Sequence, residues 1–390
     1  MLKTTLTIAL ALAAGHAIAG PQATKTTETK EQSVYDRLWD LPVLYKNKDN
    51  SVLQRFELQG RLQLQYGTGS SDQGSYASDE RPDEVLWGDA VEVRRWRLGF
   101  KSVWFHQFKL EGQIDISPNF DPEFYGQIYD LYLTWAPNDA FNLSAGKFKA
   151  NLFGLEHSTS SKEILTIERG LLANAMFAGE LTGARINGKK NGWVYGAAIY
   201  AGDQEREFTE DTAGTVVQAH IGYDLKQQLG LDKALIRLDY QYGSDAANAG
   251  GGGRFEHAFG FNAQLAKDQW LLNSEVLAAT GQGGTGDVWG INIIPAYNIT
   301  KQLQVVGRYQ YAHGDNDGLR VQTRYERLAP ALTDGGRGEN YHAAYLGLNY
   351  YIYGHKMKIM AGTEYHQMDG GGDGGDFDGF TTSVGFRMFF

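Results

Sequence analysis

From Phe56 onward, apolar and polar residues exchange places at nearly every second position. In "RFELQGRLQLQY", Phe56, Leu58, Leu62, Leu64 and Tyr66 fall on one parity, with Glu57, Gln59, Arg61 and Gln63 on the other. "RRWRLGFK" sets Trp96, Leu98 and Phe100 against Arg95, Arg97 and Lys101, and "FKLEGQIDI" sets Phe108, Leu110, Ile114 and Ile116 against Lys109, Glu111, Gln113 and Asp115. A period of two is that of a strand with one apolar face. The same test picks out about sixteen segments, the weakest near Arg185, and the last, "TTSVGFRMFF", carries its alternation to Phe390.

The connections between these segments predict how the strands are arranged. Brief ones such as "WFHQ", "APNDA", "NITK" and "YGH" alternate with long ones such as "GTGSSDQGSYASDERPDEVLWG" and "MDGGGDGGDFDG". Short turns on one side and long loops on the other describe a transmembrane antiparallel β-barrel of about 16 strands. A soluble sandwich has no reason to alternate in this way. Sixteen strands fall in the range that encloses an aqueous channel. In a closed barrel the last strand pairs with the first, so its apolar face meets lipid and no edge is left open. Aromatics at strand ends, including Tyr66, Trp104, Trp135, Trp193, Tyr242 and Phe390, fit the interfacial girdles of such a barrel.

The first nineteen residues differ. Lys3, an apolar run from Leu6 to Ala14, and small residues at Ala17 and Ala19 predict a secretory signal peptide over 1–19. Residues 20–53 read as a polar periplasmic lead-in with one short helix, capped by Ser33 and stopped at Pro42. The barrel is expected over 54–390. No stretch reaches the roughly 18 uninterrupted apolar residues of a spanning helix. The chain has no cysteine, 22 tyrosines, 49 glycines and only 8 prolines, which suits many strands and flexible loops and leaves disulfides out of the stabilisation. A net charge of −10 argues against a nucleic-acid partner.

If apolar positions face lipid, their alternates line the lumen, and these carry both signs of charge. A mixed lining of that kind can simply stiffen a general pore. Arg95, Arg97 and Lys101 nevertheless share one face of one strand, where positions two apart stand about 7 Å from each other. Such a ladder can pass an anion along by charge-assisted hydrogen bonds. The longest loop of the first half, "KFKANLFGLEHSTSSKEILTIERGLLANAMF", mixes Leu152, Phe153, Ile164, Leu165 and Ile167 with polar residues. Folding against the inner wall would need that mixture, and so would packing on a neighbouring subunit.

"GKFKANLFGLEHSTSSKEILTIERGL", "VRRWRLGF" and "YLGLNYYIYGHKMKIMAGTEY" together resemble the phosphate-selective porin O/P family, over about Phe56 to Phe390. The resemblance implies a homotrimeric outer-membrane anion channel of sixteen strands with an inward-folded third loop. It implies an anion site in which Ser160, Ser161 and Arg169 stand on the loop, Asp130 on the fourth strand and Arg61 on the first. Arg94, Arg95 and Arg97 would begin the approach ladder, continued by Lys101. The sequence departs from the family pattern at His157, where phosphate-selective members tend to carry lysine; histidine is mostly neutral at pH 7. Lys162 is near in sequence but has no stated direction. The expected function is therefore passive diffusion of phosphate-like anions through the outer membrane of a Gram-negative-type bacterium, with no cofactor. A general or sugar-conducting porin is the alternative, with Tyr132, Tyr200 and Tyr341 as lumen-facing aromatics. An enzyme is not expected, because His106, His157, His220 and His257 are scattered and form no Ser-His-Asp set.

Overall fold

A computed structural model describes residues 32–72, 74–75, 91–116, 124–209, 214–244, 252–320, 337–370 and 376–390. The expected signal peptide, the start of the lead-in, and the long-loop stretches 76–90, 321–336 and 371–375 lie outside the described residues. Of the acidic "DGGGDGGDFDG" stretch, 371–375 lie outside the described residues, while Asp369 ends one strand and Phe377–Gly379 begin the next.

The chain opens with helix α1 (Val34–Asp40) and strand β1 (Val43–Lys46), followed by β2 (Leu53–Ser71) and the two-residue β3 (Gly74–Ser75). Next come β4 (Val91–Trp104), β5 (Phe108–Ile116), β6 (Tyr125–Asn138) and β7 (Phe141–Lys149). Two short helices, α2 (Leu155–Ser158) and α3 (Leu171–Ala175), interrupt the ladder before β8 (Glu180–Lys190), β9 (Trp193–Ala201) and β10 (Thr215–Asp224). Helix α4 (Lys226–Leu229) leads into β11 (Lys233–Gly243), β12 (Phe255–Lys267) and β13 (Trp270–Gly281). The chain continues through β14 (Val288–Asn298), β15 (Leu303–Gly314), β16 (Asn340–Tyr353), β17 (Met357–Asp369) and β18 (Phe377–Phe389).

β1 and β3 are short attachments. The remaining sixteen strands pair antiparallel in sequence order, and β18 pairs back onto β2 from Gly379↔Ser71 to Phe389↔Arg61. The ring is closed, so the last strand has no free edge. The weak alternation near Arg185 is a full strand, β8, paired with β7 and β9 over its length.

The burial pattern inverts that of a soluble protein. On β2, Leu58, Leu64 and Tyr66 are exposed, whereas Gln59, Arg61, Gln63 and Gln65 are buried. Apolar side chains on the outer face of strand after strand give the surface that hydrocarbon requires of a spanning barrel.

The lead-in is attached to the short-turn end. Ser33 caps α1 with a complete capping box, its hydroxyl accepting from the Asp36 amide. The Trp39 indole donates to the Phe389 carbonyl at 2.7 Å, and the Tyr353 hydroxyl donates to Asp36 at 2.5 Å. β1 pairs with β2. These contacts bridge the strands that meet at the closure.

Candidate functional site

The 150–178 segment between β7 and β8 is bonded to the barrel wall on several sides. Its early backbone amides are donors: Leu152 to Gln218 on β10 at 3.0 Å, Gly154 to Asp239 on β11 at 2.8 Å, and Leu155 to Glu275 on β13 at 2.8 Å. Farther along it offers carbonyls. Glu168 accepts from Arg308 on β15 at 2.7 Å, Leu165 from Asn349 on β16 at 2.9 Å, and Ile164 from Lys358 on β17 at 2.8 Å. Ile167 accepts from Arg387 on β18 at 3.1 Å, and Ser161 from Gln63 on β2 at 3.1 Å. A segment in contact with strands this far around a closed ring runs through its interior.

Two features fix the segment in place. Leu171, Leu172 and Met176 of the α3 region pack with Phe153 against Phe255, Leu277, Val288, Tyr341 and Met368 of the wall. Beneath them, Arg308 forms a buried ion pair with Glu364 at 2.7 Å and approaches Glu156 at 3.6 Å. The Gly170 amide donates to Glu156 at 2.5 Å. A Cβ at Gly170 would lie 2.5 Å from Gln310 Oε1 and 2.9 Å from Glu156 Oε2, so the backbone reaches this carboxylate only without a side chain.

Anchoring on β10–β18 leaves space against β4–β8. A cavity of about 810 Å³ opens there, lined by Arg94, Arg95 and Arg97 of β4, Lys149 at the end of β7, Arg169 of the segment, and Arg254 and Arg320 near the long loops. Its carboxylates are Asp115 and Glu180; Tyr129, Trp96, His157 and Phe177 supply rings.

Local register explains why so many cations converge. Between β2 and β4 the pairing passes from Gln63↔Arg95 to Leu64↔Val93, so Arg94 is an extra residue in a bulge. Strict alternation would send Arg94 and Arg95 to opposite faces. With the bulge, both reach the interior: Arg95 donates to Gln63 at 2.8 Å and Arg94 grips Glu168 of the segment at 2.8 and 3.2 Å. On β6 a second bulge leaves Tyr129 unpaired between Gln113↔Asp130 and Ile114↔Ile128. The Arg97 guanidinium stacks on the Tyr129 ring, 3.2 Å from its centroid, and also bonds Asp115.

The remaining sequence candidates divide between two levels. Arg61 pairs in register with Arg97 and donates to the Ser161 hydroxyl at 2.6 Å. Arg169 donates to the carbonyls of Glu156 at 2.7 Å and Thr159 at 3.0 Å, so it shapes the segment as well as lining the cavity. Asp130 pairs in register with Gln113 and sits in the field of Arg97 and Arg61; it forms no ion pair with Arg169. The Ser160 hydroxyl accepts from the Lys162 amide at 3.3 Å and lies outside the cavity lining.

Lys162 points away from the cavity, toward the short-turn end, with its ammonium 4.6 Å from the Phe389 ring centroid. Burial, with repulsion from Arg61 and Lys101, lowers its pKa to about 8. Lys101 is paired with Glu111 at 3.0 Å. His157 is buried and lies flat on Phe177, 4.1 Å between centroids and 4° between planes. Burial and the nearby Arg169, Lys149 and Arg95 hold its pKa well below the usual histidine value, so the imidazole is neutral. Burial alone would push the Glu168 carboxyl up, but Arg94, Arg95 and Arg387 hold it well below the usual carboxylate range.

Sequence reasoning missed Tyr129, Lys149, Glu180, Arg254 and Arg320 as members of this cavity. Lys149 had a signal, since it shares parity with Lys147 at the end of an alternating segment. Tyr129 had none, because its direction depends on a bulge. Of the aromatics noted as lumen-facing, Tyr200 and Tyr341 are buried and Tyr132 packs against Phe148.

The sequence profile of the phosphate-selective porin O and P family matches residues 63–301. No curated protein matches the chain significantly. Several solved barrels share the fold. An anion-selective porin from Comamonas acidovorans superposes with a TM-score of 0.58 at 11% identity, over 86% of this chain and 99% of that one. OmpF of Salmonella typhi, in complex with daunomycin, gives 0.57 at 12% identity over 89% and 100%. The trimer form of OmpT of Vibrio cholerae gives 0.55 at 11% over 86% and 99%. At these identities the likeness speaks for the fold alone.

Proposed function

The chain belongs to the phosphate-selective porin O and P family, and on that premise we propose that it is an outer-membrane diffusion channel preferring phosphate-like anions. The observation that carries this reading is the charge of the cavity: seven basic residues line it with two carboxylates. Asp115 is engaged by Arg97, and Glu168 by Arg94. Arg95, Lys149, Arg169, Arg254 and Arg320 form no ion pair with a described residue and give the space a positive field, which concentrates anions and raises their entry rate.

The mechanism is passive. An anion enters from the long-loop side and exchanges water for guanidinium and ammonium hydrogen bonds at Arg95, Lys149 and Arg169. It then passes the Arg97–Arg61 pair and leaves past Lys162 and Lys101 at the short-turn end. Each hold must be weak enough to release, because conduction needs several loose sites. Ser161 places Arg61, and Tyr129 places Arg97. Asp130 tempers the field at that step by its opposite charge. Ser160 contributes by fixing the turn that carries Ser161 and Lys162. The same reading includes a cleaved signal peptide over 1–19 and, by family likeness, a homotrimer in the outer-membrane lipid.

The test is the chloride current of single channels in a planar bilayer under increasing inorganic phosphate. Progressive block is expected, because phosphate competes for the same cations with more charge. A chloride current indifferent to phosphate would favour the general diffusion pore.

A further inference from the structure

Position 157 itself contributes no charge to the cavity edge, because His157 is neutral and stacked on Phe177. The wall supplies a cation to the same spot. Lys149 is the last residue of β7, and its ammonium donates to the His157 carbonyl at 2.8 Å and stands 5.4 Å from the Phe177 ring centroid. The Arg169 Nε bonds the carbonyl of Glu156, the adjacent residue. Lys149 and Arg169 therefore hold consecutive carbonyls, and their cationic heads are brought to one edge of the cavity.

We propose that Lys149 is a selectivity-determining residue of the channel, the ammonium that binds the passing oxyanion together with Arg169 and Arg95. This assignment rests on the anion-channel reading. An ammonium has three donors. One is used on the His157 carbonyl, which aims the group, and two remain for a solute oxygen. Glu180 is the register partner of Lys149 on β8 but forms no ion pair with it, its carboxylate accepting from Gln204 at 3.3 Å. The Phe177 ring centroid stands 5.4 Å from the ammonium, within cation–π range, and helps to fix where the group points. The requirement for a filter cation is thus met from a strand end, which a rigid ladder positions more firmly than a loop side chain.

The natural chain contains no cysteine, so Lys149→Cys places a single thiol at this point. One folded protein can then carry a neutral thiol, a cationic aminoethyl adduct or an anionic sulfonatoethyl adduct, made with methanethiosulfonate reagents in the bilayer chamber. Loss of one charge-assisted hydrogen bond should weaken phosphate block roughly tenfold in the unmodified variant. The aminoethyl adduct should restore most of the block, and the sulfonatoethyl adduct should reduce the anion preference further. Equal block in all three states, in a channel whose wild type is anion-selective, would overturn the assignment and leave Lys149 a strut. A wild type without anion preference would overturn the underlying reading and this assignment with it. Lys149→Arg should keep both block and selectivity; its failure to do so while remaining folded would also count against the proposal.

Discussion

The inner face of this barrel has two walls built from the same alternation and put to different uses. Along β11–β17 the inward residues include Asp239, Glu275, Gln310, Arg308, Glu364, Asn349 and Lys358, most of which bond the 150–178 segment or the residues that hold it. Along β4–β7 the charged residues that line the cavity are Arg94, Arg95, Arg97 and Lys149, with Asp115 as the one carboxylate. Charged groups of both signs occur on both walls. What separates them is what they face: on one wall the 150–178 segment, on the other chiefly an open cavity. A count of lumen charges therefore says little about selectivity until the anchored ones are set aside.

The largest effect should come from breaking the anchored wall. Arg308→Met leaves Glu364 and Glu156 buried without their cation, a loss of about 3–5 kcal/mol. The internal segment should detach, and single-channel conductance should rise with much greater current noise. An unchanged conductance would mean that the segment is held without this pair. Leu172→Ala, which opens the apolar contact beside it, should cost about 2–5 kcal/mol, measured as a lower denaturation midpoint.

On the open wall, Arg97→Gln should cost less stability than Arg308→Met, because Asp115 borders the cavity and keeps Gln127 as a donor, while anion-over-cation permeability falls severalfold. It also frees Tyr129 and Asp115, so Asp115 would add a negative charge to the path. A smaller effect is expected at Lys162. With its pKa near 8, the ammonium is present below that pH and lost as pH rises through it. Anion preference should therefore decline between pH 7 and 9, and Lys162→Gln should remove that slope. The smallest effect belongs to Ser33→Ala, which loses a helix cap worth about 0.5–2 kcal/mol and should leave conduction unchanged, because α1 lies outside the cavity.

The ring of strands was legible because a two-residue period survives in most segments, and the alternation of short and long connections added an independent constraint. Even β8, weak by composition, had the right parity around Arg185. Two features of the site were not legible. The bulges at Arg94 and Tyr129 shift register by one residue, and a sequence does not show which of two neighbours on a strand will be the extra one. The partners of the internal segment were equally hidden. Its apolar residues indicated that it packs on something, but the acids on β11, β13 and β17 that receive or support it looked like ordinary lumen charges. His157 was visible as a missing cation, whereas Lys149 stood unremarked in the first residues of the long loop's sequence.

The most direct test of the central claim is the reversal potential of the wild-type channel across a potassium chloride gradient. An anion-selective channel moves that potential toward the chloride equilibrium value, and this is the result expected from a cavity with five basic residues free of described ion pairs. A potential near zero, or one displaced toward potassium, would contradict it.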